Sequence, residues 1–305
     1  MSERLINDLP FAQSPVLPKT IEGSAQIQFR CHKDIDCFNA CCKNIDISLT
    51  PYDVVRLKKR LGMTSGEFLV KYTFPYEIER DGIAGIKLKP VEDGTACQFM
   101  TDEGCSVYED RPTSCRYYPV ALLSLRRQDE FTDRTAYALV QESHCHGHQE
   151  DRTLTVDEYR KEQGVEEYDD YGRGWRQLIL KKQSSGPTVG RPSKRSLQLF
   201  FMACYDVDQF REFVKSPSFE DVYEIDQATK DKLYTDDVEL MLFGQRFLAQ
   251  VMFGDEFIKV RADAYERRAA KKSEREARMD EIVEKLGPLE PSAQPDDDKY
   301  KYVDD

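Results

Sequence analysis

The sequence predicts an α+β fold: a small, irregular, cysteine-rich domain with short antiparallel strands, then a mainly helical half and a charged tail. Three observations predict it. Eight of the nine cysteines fall between Cys31 and Cys145. The strand-like segments around them are short, whereas apolar residues follow helical spacing after about residue 150. From Arg261 onward, acids and bases alternate with few apolar residues.

These changes in character predict four segments. Residues 1–20 form an extended arm, because their prolines block regular structure. A cysteine-rich metal-binding domain covers residues 21–150, and a helical domain packed on it covers residues 151–260. Residues 261–305 form a solvated or frayed charged helix and an acidic tail that is disordered from Pro288.

Turn and capping residues divide the cysteine-rich domain. Thr50 N-caps a helix that Gly62 ends, and Thr64 with Glu67 forms the capping box of a second helix. Strands are predicted at Ile27–Arg30, Ile45–Leu49, Ile83–Leu88, Val120–Leu125 and Phe131–Val140. The last two of these strands are expected to pair antiparallel through a polar turn at residues 127–129.

The second half begins with two predicted helices. Thr155 caps the first, which Gly164 ends, and the second surrounds Trp175. The sequence Gly172-Arg173-Gly174 lacks a preceding strand and is interpreted as a turn rather than a nucleotide-binding loop. Residues 184–193, rich in Gly, Pro and Ser, form a loop.

Two more helices complete this half. One covers Asp206–Val214, and a longer one begins at about Asp236. The long helix carries apolar residues at helical spacing, namely Leu240, Phe243, Phe247 and Val251. These side chains are interpreted as core, and so is Cys204 in its apolar stretch.

Charge and hydropathy exclude several classes of protein. A net charge of −12 and a pI near 5.0 argue against nucleic-acid binding and against an anionic-membrane footprint. The N-terminus lacks a secretion signal, and no apolar run approaches the ~20 residues of a membrane span. We therefore expect a cytoplasmic monomer that acts on, or binds, an unidentified protein.

Grouped cysteines in a reducing compartment favour metal binding over disulfides. Thiolates are soft, anionic ligands for zinc and iron–sulfur clusters. The eight predicted metal ligands are Cys31, Cys37, Cys41, Cys42, Cys97, Cys105, Cys115 and Cys145. Eight thiolates are enough for two four-sulfur sites, or for one cluster and one zinc ion. The adjacent pair Cys41-Cys42 favours a polynuclear cluster, or two nearby metals that take one thiolate each, because neighbouring side chains point in different directions. A [4Fe–4S] cluster is the predicted cofactor, with zinc as the alternative.

Charged neighbours extend the predicted site. Arg111 and Arg116 are predicted to bind the cofactor by donating hydrogen bonds to its sulfurs, although a structural salt bridge is an equal interpretation of Arg111. A histidine ligand is left open for His32, His144, His146 and His148. Asp34, Asp36 and Asp46 are interpreted as solvated surface in preference to metal ligands.

Four motifs carry a family resemblance over residues 29–147. They are Cys37-Phe38-Asn39-Ala40-Cys41-Cys42, Cys97-Gln98-Phe99, Arg111-Pro112-Thr113-Ser114-Cys115-Arg116 and Cys145-His146-Gly147. Their order resembles the YkgJ-type cysteine-cluster family, a zinc- or iron-chelating domain of the CxxCxxCC kind, although the first spacings here are wider. That family is similar to the cysteine-rich part of flagellin lysine methylases, which implies an iron–sulfur centre.

Three functions follow from these observations. The leading one is an iron–sulfur protein that is redox-active or takes part in protein modification. The alternatives are a zinc-stabilised protein-interaction module without catalysis and a metal storage or delivery protein. The sequence lacks a phosphate-binding loop, a dinucleotide-binding turn and a recognisable S-adenosylmethionine-binding fingerprint, which argues against a methylase that works alone.

Overall fold

A computed structural model of the chain describes residues 20–78, 83–125, 134–184 and 192–286. The described residues divide into two compact units, one within 20–215 and 225–258 and the other within 216–224 and 259–286. Short antiparallel strands and a mainly helical second half confirm the predicted α+β class. The domain boundaries at residues 150 and 260 stay predictions.

The strands of the described residues form four small antiparallel sheets. They are β1 (Gln26–Gln28), β2 (Ser48–Leu49), β3 (Thr73–Ile78), β4 (Ile83–Leu88), β5 (Met100–Thr101), β6 (Gly104–Cys105), β7 (Val120–Leu125), β8 (Arg134–Leu139) and β9 (Thr153–Thr155). β4 lies between β2 and β3, whereas β1 pairs with β9, β5 with β6 and β7 with β8. The predicted antiparallel pairing of Val120–Leu125 is confirmed; the predicted turn at 127–129 lies outside the described residues.

Two strands are shorter than predicted. The Ile27–Arg30 strand ends early because Arg30 N donates to Gly147 O at 3.0 Å, so the chain leaves β9 for another segment. The Ile45–Leu49 strand is reduced to β2 because its first residue donates to Thr95 O at 3.0 Å. Both hydrogen bonds connect the chain to segments that carry cysteines, since Gly147 lies near Cys145 and Thr95 lies near Cys97.

One strand, β3, is absent from the sequence-based prediction. It contains Pro75, which has no N–H for a strand ladder and therefore fits only at a sheet edge. β3 occupies that edge, with Pro75 opposite Ile86 of β4.

The described residues also form α-helices. They are α1 (Pro51–Leu61), α2 (Ser65–Tyr72), α3 (Thr113–Tyr117), α4 (Val156–Gln163), α5 (Val165–Ser184), α6 (Lys194–Tyr205), α7 (Val207–Lys215), α8 (Pro217–Glu220), α9 (Gln227–Thr235), α10 (Asp237–Phe253) and α11 (Ala264–Leu286). None of the described helices combines the length and the apolar composition that a bilayer crossing requires.

The predicted helix boundaries are confirmed where local capping decides them. Thr50 and Asp53 exchange hydrogen bonds between side chain and backbone at the start of α1, and Gly62 ends it with φ of 65°. The same reciprocal box opens α2 at Thr64 and α4 at Thr155.

The predicted turn at Gly172-Arg173-Gly174 is wrong, since these residues lie inside α5. Gly174 is there because α10 approaches closely: a Cβ at this position would stand 2.3 Å from Gln245 Oε1. Gln245 in turn donates from Nε2 to Tyr171 O at 3.1 Å. The glycine thus permits helix packing rather than a turn.

Aromatic side chains fill the core of the helical region, as predicted. Phe210, Phe247 and Leu240 are at most 2% exposed, and the Phe210 and Phe247 ring centroids lie 5.9 Å apart. Cys204 is buried among them. Val251, predicted as core, is 43% exposed, because it stands in the last turns of α10 before Gly254 ends the helix.

The second unit combines α8 with α11, which agrees with the predicted charged helix. Asp221 accepts a hydrogen bond from Lys271 and is paired with Arg267. Tyr223 forms an antiparallel bridge with Val260, and its ring packs against Phe219 at 4.7 Å. The predicted disordered tail lies outside the described residues.

Candidate metal centre

The first cysteine group lies on an irregular segment between β1 and β2. Buried Ile35 anchors it, and Phe38 N donates to Ile35 O at 2.9 Å. Asn39, with φ of 64°, reverses the chain and donates from Nδ2 to Thr101 O at 2.9 Å. A 3₁₀ turn over Ala40–Cys42 follows, so that Cys31 and Cys41 are exposed while Cys37 and Cys42 are half-buried.

The second group is attached directly to the first. Cys97 N donates to Cys42 O at 2.8 Å, and Cys97 is only 7% exposed. The β5–β6 hairpin then places Cys105 opposite Met100. The loop that carries Cys97 and Cys105 therefore lies against Cys42.

Cys115 is positioned through the cap of α1. Asp53 is fully buried, and its Oδ1 accepts hydrogen bonds from Thr113 N at 2.8 Å and from Thr113 Oγ1 at 2.7 Å. Its Oδ2 accepts from Thr50 N at 2.8 Å. One carboxylate thus caps α1 and also fixes the start of α3, on which half-buried Cys115 stands.

Cys145 lies on a segment that contacts the first cysteine group. His146 N donates to Cys37 Sγ at 3.3 Å, and buried Gly147 accepts from Arg30 N. A Cβ on Gly147 would meet the Phe29 ring at 2.6 Å, so only glycine permits this close contact. The contact joins the segments that bear Cys31, Cys37 and Cys145.

The cysteine Sγ atoms of this region are not arranged as the four closely spaced ligands of one tetrahedral zinc ion. Cys41 Sγ and Cys42 Sγ lie 4.0 Å apart. Four sulfurs bound to one zinc ion at ~2.3 Å would stand about 3.8 Å from each other. Among the described residues, no three thiols have sulfurs that all lie within 4.8 Å of one another.

Mutual repulsion between the thiols links the two groups electrostatically. Partial desolvation by the surrounding protein raises the pKa of Cys31 to about 11, and neighbouring thiolates add to this, in the order Cys41, Cys37 and Cys145. Burial likewise raises the pKa of Cys115, and the repulsion there comes from Cys97, Cys105 and Cys41. A bound cation would offset this repulsion, so metal binding would release protons.

A hydrogen bond couples the two thiols of the adjacent pair. This bond lowers the pKa of Cys41 to about 7, against partial desolvation, and raises the pKa of Cys42. Cys41 is the more exposed of the two thiols.

The predicted arginines have structural contacts. Arg111 stacks on Tyr108, 3.9 Å from the ring centroid, and donates to Gln163 Oε1 at 2.8 Å. Its charge also opposes the burial that raises the pKa of Cys105. Arg116 donates to three backbone carbonyls, those of Glu109, Arg111 and Gln163. Cofactor binding by either arginine stays a prediction.

The histidines differ in their partners. His32 pairs with Glu150 at 3.0 Å, and His144 with Glu142 at 3.5 Å. His148 Nε2 lies 3.0 Å from Val140 O. His146 alone among the described histidines joins a carboxylate and a cysteine: Nδ1 lies 2.6 Å from Asp36 Oδ1, beside Cys37.

Sequence reasoning missed two features of this site. The sequence marks Asp53 as a helix cap, but nothing in it indicates the second contact with Thr113, 60 positions away. Asp36 and His146 are 110 positions apart and were interpreted separately. Asp36 and His146 each lie next to a cysteine in the sequence, which marks both as candidate ligands. The sequence does not indicate that these two residues contact each other.

One comparison with known proteins gives a result. A family model named CxxCxxCC, described as a "Putative zinc- or iron-chelating domain", matches residues 30–171 and agrees with the resemblance drawn from the motifs. No curated protein and no solved structure matches the chain.

Proposed function

We propose that residues 30–171, which match the CxxCxxCC model of zinc- or iron-chelating domains, hold a polynuclear iron–sulfur centre on their cysteine thiolates. We propose further that the protein uses this centre in electron transfer or in the modification of a protein substrate. The eight cysteines are its proposed ligands.

The spacing of the thiols carries this proposal. A single zinc ion requires sulfurs about 3.8 Å apart. Among the described residues, the Cys41–Cys42 pair approaches that distance and no third thiol completes it within 4.8 Å of both. A larger, polynuclear group suits sulfurs that are more widely spaced.

The donor set also fits such a group chemically. Thiolates neutralise the positive charge of iron, and backbone N–H groups can stabilise the ligating sulfurs. Two such contacts exist, from His146 N to Cys37 Sγ at 3.3 Å and from Phe99 N to Cys97 Sγ at 3.5 Å. When bound, the cluster would supply one-electron redox chemistry.

Exposure supports a role that involves a second molecule. Cys31 and Cys41 are exposed, whereas Cys97 is buried. The proposed centre therefore has a sheltered side and a solvent-facing side. A substrate or redox partner would meet it on the solvent-facing side.

Anaerobic purification tests the proposal. We expect a coloured protein with iron and acid-labile sulfide in equal amounts, a visible sulfur-to-iron charge-transfer band and an electron paramagnetic resonance signal on reduction. Cys97→Ser should remove most of this colour, and Cys204→Ser, a buried cysteine outside the group, should retain it. A colourless protein with stoichiometric zinc would rule out the iron–sulfur centre.

A second candidate function is a zinc-stabilised protein-interaction module. Its supporting observation is a surface concavity at the α1–α2 junction, lined by Leu61, Met63, Glu67, Val70 and Lys71, whose lining contains no cysteine. Val70 there is 79% exposed. This function predicts stoichiometric zinc, unfolding of the cysteine-rich segments on chelation and no redox transition.

A further inference from the structure

We propose that Asp36, Cys37 and His146 form a separate site for one divalent transition-metal ion, which leaves one coordination position open to solvent. The inference rests on the proposed function and narrows it: Cys37 would bind this separate ion, and the other seven cysteines would remain the proposed ligands of the iron–sulfur centre. It adds a nitrogen and an oxygen ligand, and it divides the centre into two parts.

The three side chains already converge. One ligand atom from each, a carboxylate oxygen, Sγ and a ring nitrogen, lie within 4.8 Å of one another. His146 Nδ1 and Asp36 Oδ1 are 2.6 Å apart. Around a zinc ion this pair would open to about 3.3 Å, a small movement for an exposed carboxylate.

The ligand types suit one ion better than a sulfur cluster. Zinc accepts thiolate, imidazole and carboxylate ligands in the same tetrahedral site. The N–H of His146 also donates to Cys37 Sγ at 3.3 Å, a contact that stabilises a thiolate in a metal site. The same residue would therefore supply a ring ligand and support the neighbouring sulfur.

Two anchored segments present these ligands. Ile35, immediately before Asp36, is 8% exposed and accepts a hydrogen bond from Phe38 N. Gly147, immediately after His146, is held against Phe29 and Arg30. Because each ligand lies beside a fixed residue, little conformational entropy is lost on binding.

Exposure indicates that the site is open. The side chain of Asp36 is 73% exposed and that of His146 is 40% exposed. Three protein ligands leave the fourth tetrahedral position to water or an external donor, an arrangement typical of catalytic rather than structural zinc sites. An exposed Asp–His ion pair by itself stabilises a fold little, so the pair has no strong structural reason to lie beside Cys37.

The chain offers matched controls. Asp34 is exposed and lies two positions from Asp36. His144 lies two positions from His146, is 42% exposed and is paired with Glu142. Neither control belongs to a group of three potential ligands among the described residues.

Metal titration of the anaerobically purified full chain tests the site, with Zn²⁺ and Co²⁺ as the probes. We expect Asp36→Ala and His146→Ala each to weaken the binding of one metal equivalent at least ~10-fold and to remove one set of Co²⁺ ligand-field bands. Asp34→Ala and His144→Ala should titrate as the wild type does. If Asp36→Ala and His146→Ala both still bind that metal equivalent and keep its Co²⁺ ligand-field bands, the proposal is wrong.

Cys97→Ser separates this result from the proposed function, because Cys97 contacts Cys42 and is not one of the three ligands of the separate site. We expect it to reduce the iron and sulfide content and to leave the Asp36–Cys37–His146 equivalent in place. If Cys97→Ser changes nothing while His146→Ala removes an equivalent, the mixed-ligand site stands and the thiolate cluster fails. If His146→Ala abolishes all metal binding, the two parts are one centre and the separate site is wrong.

Discussion

Asp53 joins a local helix cap to the segment that carries Cys115, one of the proposed metal ligands. Its two oxygens accept hydrogen bonds from Thr50 at the start of α1 and from Thr113 at the start of α3. The side chain is fully buried, and burial raises its pKa while these hydrogen bonds lower it. The orientation of Cys115 therefore depends on a carboxylate that is distant in the chain.

Replacing Asp53 with Asn tests this dependence. An amide offers only one acceptor oxygen, so either the α1 cap or the contact with Thr113 is lost, at a cost of about 1–3 kcal/mol. We expect the Asp53→Asn protein to keep its helical circular dichroism and to bind metal about 10-fold more weakly in competition with a chelator.

Asp46→Asn is the control, because Asp46 is 75% exposed and pairs only with Lys87 among its described ion pairs. It should match the wild type in metal affinity. Equal affinities for the Asp53→Asn protein and the wild type would show that Asp53 does not position Cys115.

At the scale of elements, capping explains why several helices were predicted correctly. Thr50, Thr64 and Thr155 each bond to a residue three positions on, so the sequence alone contains the whole interaction. β3 was missed because its place at the edge of a sheet, which accommodates Pro75, depends on a partner strand. Gly174 was misinterpreted because the helix that it contacts is remote in sequence.

Gly244 makes a prediction about helix packing. A Cβ there would stand 2.9 Å from Ala203 O in the α6 backbone and 3.1 Å from Phe210. A backbone atom cannot rotate away, so overpacking costs about 1–3 kcal/mol and exceeds the helix-propensity gain of ~1 kcal/mol. We expect Gly244→Ala to lower the free energy of unfolding, measured by urea titration of Trp175 fluorescence.

Gly66→Ala provides the comparison, since its added Cβ would stand 3.9 Å from Asp206 Oδ2, an ordinary van der Waals contact. It should be neutral or stabilising by up to about 1 kcal/mol. A Gly244→Ala protein as stable as the wild type would mean that α6 and α10 are less closely packed than described.

At the scale of the whole molecule, a network of charges connects the cysteine-bearing region with the helical one. Lys58 of α1, whose side chain is 9% exposed, pairs with Asp208 of α7 at 2.9 Å and with Asp237 of α10 at 2.8 Å. Arg211 pairs with the same two carboxylates. Asp208 also accepts a hydrogen bond from Ser65 N at 2.7 Å.

This network predicts a dependence of stability on pH. Burial disfavours the Asp208 carboxylate, but hydrogen bonds from Ser65 and Lys58 outweigh it and lower its pKa to about 2. A pKa that is lower in the folded state stabilises the fold above about pH 4, and this stabilisation is lost as the pH falls toward 2. With solvent screening, it amounts to about 1–2 kcal/mol.

Asp208→Asn should therefore unfold at lower urea than the wild type at pH 7, and the difference should shrink between pH 4 and pH 2. Asp170→Asn is the control, because Asp170 is 72% exposed and pairs with Arg173 on the same helix. A difference between Asp208→Asn and the wild type that is constant with pH would contradict the role of the ionised carboxylate.

Metal removal should affect the molecule unevenly. The segments around Cys31–Cys42 and Cys97–Cys105 contain only short strands and 3₁₀ turns, whereas α6, α7 and α10 pack around their own apolar core. We expect a chelator to raise hydrogen–deuterium exchange in the cysteine-bearing segments and to leave those helices protected. Uniform exchange across both regions, or no change in the cysteine-bearing segments, would show that the metal does not hold them.

Features that depend on residue chemistry and on neighbours within a few positions could be predicted from the sequence. These are the grouped cysteines, the helix caps, the α+β class and motifs that resemble those of a metal-chelating family. Such features are local, because a side chain three residues from a backbone group meets it in any fold that contains the helix.

Which distant segments contact one another became known from the folded structure. It brought Cys97 onto Cys42, His146 onto Cys37 and Thr113 onto Asp53, and it gave Arg116 three backbone carbonyls as partners. These contacts join positions far apart in the chain, and each exists because the packing of the whole fold outweighs the entropy of closing the intervening loops.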